Sequence, residues 1–180
     1  MRALYRVWTS ALAADSVDRI LRCATQQASE EARTFTTAAD VDAVRSATIT
    51  WLDQTWIRDL LSPYVEQANR EDFQLDLDGG IETQLITYAG DRRDHYGWHH
   101  DVDWGADSAR DRKLSVTVQL SHTEDYTGGE LEFSDFSTNA DFRARGTVVV
   151  FPSVLRHRIR PVTAGTRHAL VSWFSGSRWR

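Results

Sequence analysis

Between Lys113 and Ser121 the chain alternates without a break: Leu114, Val116, Val118 and Leu120 fall on one face, Ser115, Thr117 and Gln119 on the other. Only an extended strand puts residues two apart on the same side, so this stretch cannot serve a helix. Shorter runs through the second half follow the same rule. Ile81 to Tyr88, Glu130 to Phe133, Thr147 to Phe151, Arg158 to Val162 and Arg167 to Phe174 read as strands, with Phe73 to Leu77 and Phe142 to Arg145 as lesser ones. Asp78-Gly79-Gly80, Tyr126-Thr127-Gly128-Gly129 and Ala164-Gly165 supply turns between them, and residues 90–95 a charged loop.

The first seventy residues keep a different period. Leu4 to Trp8 and Ala47 to Trp51 are strand candidates. Ser16 reads as the cap of a helix carrying Val17, Ile20, Leu21 and Ala24 and ending near Ser29. Trp56, Ile57, Leu60, Leu61, Tyr64, Val65 and Ala68 form a second helical stripe, which Pro63 should kink or split. Residues 30–44 read as loop, with room for a short helical turn after Ala38. Helices followed by about eight short strands predict a mainly β fold, a sandwich or jelly roll with the helices packed on one outer face. The expected division is a helical cover over about residues 1–70 and a jelly-roll core over about 71–175, within one domain. A chain of 180 residues is long enough to bury about 70% of its unfolded surface.

Composition narrows the function classes. The formal charge is -5 and no basic run occurs, which argues against nucleic acid as a partner. The single cysteine, Cys23, excludes an internal disulfide and fits a reducing compartment. No signal-peptide pattern and no membrane-length apolar run is visible, so a cytoplasmic protein with no membrane partner is expected. Oligomeric state is not legible.

The chemistry concentrates in Tyr96-Gly97-Trp98-His99-His100-Asp101-Val102-Asp103-Trp104. If this stretch is extended, His99 and Asp101 converge on one point. His157, after the Phe151-Pro152 turn, is the best-placed third ligand. Two histidines and a carboxylate on one face of a metal leave the other face open, the arrangement of non-haem Fe(II) oxygenases. Arg167, ten residues after His157, can reach the same pocket and pair bidentately with a carboxylate. Metal and arginine together describe a site for a 2-oxo acid. A lone His-x-Asp is usually a solvated pair, so the signal rests on the whole set. His100 should face away from the metal, His168 should face away from the pocket, and His95 and His122 read as loop histidines.

As a set these residues resemble the 2-oxoglutarate and Fe(II)-dependent dioxygenases, in their prolyl 4-hydroxylase-like branch. The matching pieces are Tyr88-Ala89-Gly90, Tyr96 to Asp101, Gly128-Gly129-Glu130-Leu131, Arg145 to Pro152, His157 to Val162 and Gly165-Thr166-Arg167, over about residues 80–175. The resemblance implies a double-stranded β-helix, a form of jelly roll. It implies Fe(II) on His99, Asp101 and His157, 2-oxoglutarate as cosubstrate with its distal carboxylate on Arg167, O2 as oxidant, and ascorbate in a supporting role. Tyr88 matches a tyrosine that contacts the cosubstrate. Gln119 stands where some relatives have a tyrosine assisting the arginine, a departure that leaves the second carboxylate contact open. The implied reaction is hydroxylation of a peptidyl residue, proline by analogy. Asp101 argues against halogenation, which uses a small residue there.

Around this core, Trp98 and Trp104 are candidates for a substrate platform, Asp103 for the pocket rim and Trp173 for the pocket wall; aromatic packing and a solvated acid are the plainer alternatives. Residues 104–112 read as a candidate lid. Arg92 and Arg93 read as a charged loop. Two competing functions remain open at this level: the same chemistry on a free amino acid or small metabolite, and a silent metal-binding jelly-roll module. A closed pocket with a second charged clamp would favour the amino acid.

Overall fold

The computed structural model describes residues 3–32, 45–105, 107–138 and 140–179. Part of the expected 30–44 loop, with the turn after Ala38, lies outside them. The described elements run β1 (Arg6–Trp8), α1 (Ala14–Ala24), β2 (Ser29–Glu31), β3 (Arg45–Ser46), β4 (Thr48–Trp51), α2 (Thr55–Ala68), β5 (Ile81–Ala89), β6 (His95–His99), β7 (Arg110–Gln119), β8 (Tyr126–Gly128), β9 (Leu131–Phe133), β10 (Val148–Pro152), β11 (His157–Ile159) and β12 (Val162–Ser177). The larger sheet is ordered β1-β10-β7-β12-β5-β4-β2, with β8 paired to the start of β12. The smaller is β3-β6-β11-β9. No helix among the described residues is long and apolar enough to cross a membrane.

Strand alternation divides the interior in two. Leu114, Val116, Val118 and Leu120 of β7 join Val17 and Ile20 of α1 and Ile57, Leu61 and Val65 of α2 in one buried cluster. The helical residues in it recur at intervals of three or four, which is what turns a helix stripe toward a sheet. The opposite face of the large sheet, including Ile86, Tyr88, Val149 and Phe151, meets Leu131, Phe133 and Ile159 of the small sheet in a second cluster. Each such buried aliphatic or aromatic side chain contributes about 1.5–3 kcal/mol. The candidate site residues His99, Asp101, His157 and Arg167 border this second, inter-sheet space.

Several expectations are corrected. Ser16 is not a cap: Ser16 and Val17 both donate to the Ala13 carbonyl, so the cap is Ala13 and α1 starts three residues earlier than expected, and it ends at Ala24. Ser29 is taken by β2, paired to Thr50. Pro63 does not split α2, which runs through it. The carbonyl that loses its donor belongs to Asp59, an exposed residue that water can serve. Phe73 to Leu77 is not a strand. Residues Asn69–Phe73 form a π-helical turn, and the Asn69 amide both accepts from the Leu75 N–H and donates to its carbonyl, each at 2.8 Å. The groups a ladder would need are thus occupied. Phe142 to Arg145 is also not a strand. Its arginines hold it instead, Arg143 on the carbonyls of Gly128 and Tyr126, and Arg145 on that of Leu120.

Ala164-Gly165 is not a turn but part of β12. Gly165 has φ +67, and an added Cβ would lie 1.9 Å from the Asp125 carbonyl oxygen. It sits just after a register shift, where β12 passes from pairing β8 to pairing β5. The glycine signal therefore marks a bulge rather than a reversal. The candidate lid shrinks as well, since Arg110 to Arg112 belong to β7 and pair with β12. Arg110 and Arg112 also bond Asp78 and Glu82, which pins the segment.

The charged loop is anchored by Asp94, a fully buried carboxylate. It accepts from the Ala89 N–H at 2.9 Å, the Ser46 hydroxyl at 2.5 Å and Arg92 at 2.6 Å. Burial pushes its pKa up, but the hydrogen bonds from Arg92, Ala89 and Ser46 outweigh this and leave it below the ordinary carboxyl value. A carboxyl with a lowered folded-state pKa stabilises above its unfolded value and loses that contribution as pH falls through the folded one. Asp94→Asn is expected to cost about 1–3 kcal/mol at pH 7, with the gap to the parent closing below about pH 4. Thermal melts across pH check both the size and the closing.

Candidate metal and 2-oxo acid site

The site is built at the pairing of β6 with β11. His99 ends β6, His157 begins β11, and the antiparallel register sets them opposite one another. Asp101 lies two residues beyond β6 in a bend. Its N–H donates to the Ser153 carbonyl at 3.0 Å, and its Oδ2 accepts from the Ser115 hydroxyl at 2.6 Å. Ser115 comes from the polar face of β7, so the large sheet holds the carboxylate while the small sheet holds the histidines. Asp101 Oδ1 is 3.5 Å from His99 Nε2, and its Oδ2 is 3.6 Å from His157 Nε2. One ligand atom from each of the three residues falls within 4.8 Å of the others.

The tautomers suit a cation. His99 Nδ1 faces the Gly97 carbonyl at 2.8 Å and His157 Nδ1 the Leu155 carbonyl at 2.9 Å. A carbonyl can only accept, so each Nδ1 carries the proton and each Nε2 presents its lone pair. Burial pushes the His157 pKa down, to about 4, helped by the neighbouring His99. Burial would raise the Asp101 carboxyl, but His157, His99 and the Ser115 hydroxyl together hold it far below the usual range. An unprotonated His157 and an ionised Asp101 are what a divalent metal requires of such ligands. The donor set therefore fits Fe(II) or a similar first-row ion. Ser115→Ala is expected to weaken metal binding about 10- to 100-fold, as loss of an orienting partner commonly does. Titration with Mn(II) followed by calorimetry checks this.

The triad opens on a pocket of about 460 Å³, its open mouth included, that Tyr88, Arg167 and Trp173 also line. Arg167 is 5% exposed and lies 5.5 Å from the Tyr88 ring. Among the described residues its guanidinium meets no carboxylate and donates no hydrogen bond. Gly129, at φ +69, lets the stem pass: a Cβ there would lie 2.9 Å from Arg167 Cδ.

A family model described as the 2OG-Fe(II) oxygenase superfamily matches residues 83–175, which hold all four of these polar residues. The chain belongs to that superfamily. A PKHD-type hydroxylase of Hyphomonas neptunium is 41% identical to the oxygenase over 96 residues, 52% of this chain and 42% of the relative. The chain spans less than half the length of the curated hydroxylases it matches. Among solved structures, a viral collagen prolyl hydroxylase from Paramecium bursaria Chlorella virus-1 shares the fold at a TM-score of 0.73 and 18% identity, over 97% of each chain. A prolyl hydroxylase from Trichoplax adhaerens, solved with a hypoxia inducible factor peptide fragment, shares it at 0.72 and 15%, over 95% of this chain and 83% of that one.

Other candidates in the oxygenase divide by parity. Trp98 neighbours His99 and so points away from the pocket, under Arg158 at 4.5 Å and Arg156 at 5.7 Å. Trp104 is 57% exposed, in the turn beyond Asp103. Neither tryptophan lines the pocket of the triad. Asp103 lines a separate outer groove that Asp101 also reaches, and caps its own turn by accepting from the Gly105 N–H at 3.0 Å. His100 faces outward to the Val154 carbonyl at 2.7 Å. Gln119 is buried and shares with Arg167 a smaller cavity behind the pocket. Its Nε2 donates to the Ser121 carbonyl at 3.1 Å, and its Oε1 and the nearby Tyr126 hydroxyl have no partner. Three residues escaped the sequence reading. Ser115 was findable, as it lies on the polar face of the alternating strand. Tyr96, stacked on His99 at 3.4 Å between ring centroids, sat inside the quoted motif. Arg45, in a two-residue strand beside a featureless polar stretch, carried no signal.

Proposed function

We propose that this oxygenase is an Fe(II)- and 2-oxoglutarate-dependent hydroxylase of a peptidyl residue, proline being the target. The observation that carries the 2-oxoglutarate reading is Arg167. A buried guanidinium without a counter-ion is costly unless a ligand anion completes it, and this one faces the same pocket as the triad. His99, Asp101 and His157 would hold the metal, with the Ser115 hydroxyl fixing the Asp101 carboxylate and the Ser153 carbonyl its backbone N–H. Bound Fe(II) would supply oxygen activation coupled to decarboxylation of the 2-oxo acid. Arg167 would bind the distal carboxylate through its planar fork, and Tyr88 would wall the cosubstrate. Apolar residues such as Ile86, Leu131 and Phe151 line the pocket beside these groups and limit water there. The prolyl target is supported by the names of solved structures that share the fold, which are prolyl hydroxylases.

The test is succinate formation from 2-oxoglutarate by anaerobically iron-loaded protein on exposure to air, alone and with proline-containing peptides and free amino acids. Turnover stimulated by a proline peptide is expected. No turnover with iron shown to be bound, and no binding of 2-oxoglutarate, would return the chain to a silent metal-binding module.

A further inference from the structure

Among the described residues, the pocket holds a second cation with no carboxylate to balance it. Arg45 lines the same pocket as the triad and Arg167. Its guanidinium carbon stands 4.7 Å from the centroid of the Tyr96 ring, and Tyr96 stacks on His99. Its one hydrogen bond is long, Nη2 to Gln84 Oε1 at 3.4 Å, and its Nε is buried without a partner. Among the described residues no carboxylate lies within ion-pair distance. Across the pocket the Trp173 indole N–H is a second buried donor without an acceptor. Two unanswered donors, one charged, thus belong to residues that line the pocket of the triad.

Charge balance sharpens this. A divalent ion and Arg167 offset the dianionic 2-oxo acid and Asp101, and the histidines are neutral as ligands. Arg45 is then the one surplus charge among the pocket's charged lining residues. Resting on the Fe(II) and 2-oxoglutarate part of the proposed reading, and leaving its peptidyl target to the test, we infer that the substrate brings a carboxylate beside the carbon to be hydroxylated, paired with Arg45 and flanked by the Trp173 N–H. That carboxylate is the α-carboxylate of a proline, from a free amino acid or from the C-terminal residue of a peptide. A proline inside a peptide has no such group.

Calorimetry on the full chain with Mn(II) in place of iron, and hence without turnover, separates the possibilities. Binding of 2-oxoglutarate is measured first. With it saturating, L-proline and glycyl-L-proline are compared with their carboxamides. The acids are expected to bind about ten-fold or more tighter than the amides, as loss of a charged hydrogen bond implies. Arg45→Gln should erase that preference and Arg45→Lys keep part of it. Tight binding of the dipeptide acid alone identifies a C-terminal residue; tight binding of free proline identifies an amino acid. Equal binding of acids and amides, or binding of neither acid, overturns the inference while 2-oxoglutarate binding stands. Failure of 2-oxoglutarate to bind overturns the functional reading itself.

Discussion

Asp101→Ala is expected to abolish 2-oxoglutarate turnover while leaving the protein folded. Asp101 would be the only carboxylate among the three proposed ligands, and without it two imidazoles would be left to face the metal. Removing an orienting partner already costs 10- to 100-fold in affinity or activity, so loss of a ligand should cost at least ~100-fold. The fold should survive because Asp101 belongs to neither hydrophobic cluster. The group it leaves behind is not orphaned either, since Ser115 keeps Ser153 at 2.9 Å. The change also removes a buried carboxylate that the metal-free site must carry ionised. Metal titration, succinate formation and a thermal melt report the three outcomes separately. Full activity in the variant would sink the metal assignment, and a collapsed melt would mean that Asp101 supports the fold itself.

What could be read before the structure follows from which interactions are local. The alternation of Leu114 to Leu120 reports burial on two faces directly, so that strand and its neighbours were legible. The convergence of His99, Asp101 and His157 was legible for a related reason: imidazoles and carboxylates are chemically conspicuous, and strand parity says which of them can share a face. Parity also predicts that Trp98, one residue from His99, looks away; the platform reading overlooked it.

The misses share a physical origin. Phe73 to Leu77 has strand-like alternation, but the Asn69 side chain, four residues upstream, takes the Leu75 backbone groups. Phe142 to Arg145 is likewise fixed by side chain to backbone bonds reaching across the chain. Ala164-Gly165 reads as a turn, yet the positive φ that favours glycine serves a bulge as well as a turn, and only the pairing partners decide. Arg45 is the clearest case. Nothing beside it in the chain marks it. Its position arises from pairing with Tyr96, fifty-one residues away.

Arg167→Ala should raise the 2-oxoglutarate requirement by a large factor with little change in metal affinity. Truncating one partner of a buried, hydrogen-bonded charge pair costs about 2–5 kcal/mol, or roughly 30-fold to several-thousand-fold in apparent affinity. Part of that cost could come from the hole left beside Tyr88 and Gly129 rather than from charge. A comparison of ligands separates the two. In 2-oxopentanoate the keto acid is unchanged and a methyl replaces the distal carboxylate. The parent should prefer 2-oxoglutarate strongly, and the alanine variant should bind both acids about equally. The difference between the two ratios isolates the carboxylate–guanidinium pair from packing loss. Arg167→Lys should fall between, because lysine keeps the charge but not the planar fork. If the variant still prefers 2-oxoglutarate as strongly as the parent does, another group holds the distal carboxylate. Tyr126 and Gln119 are then the residues to change next, since their unpartnered polar atoms lie in the cavity that Arg167 shares.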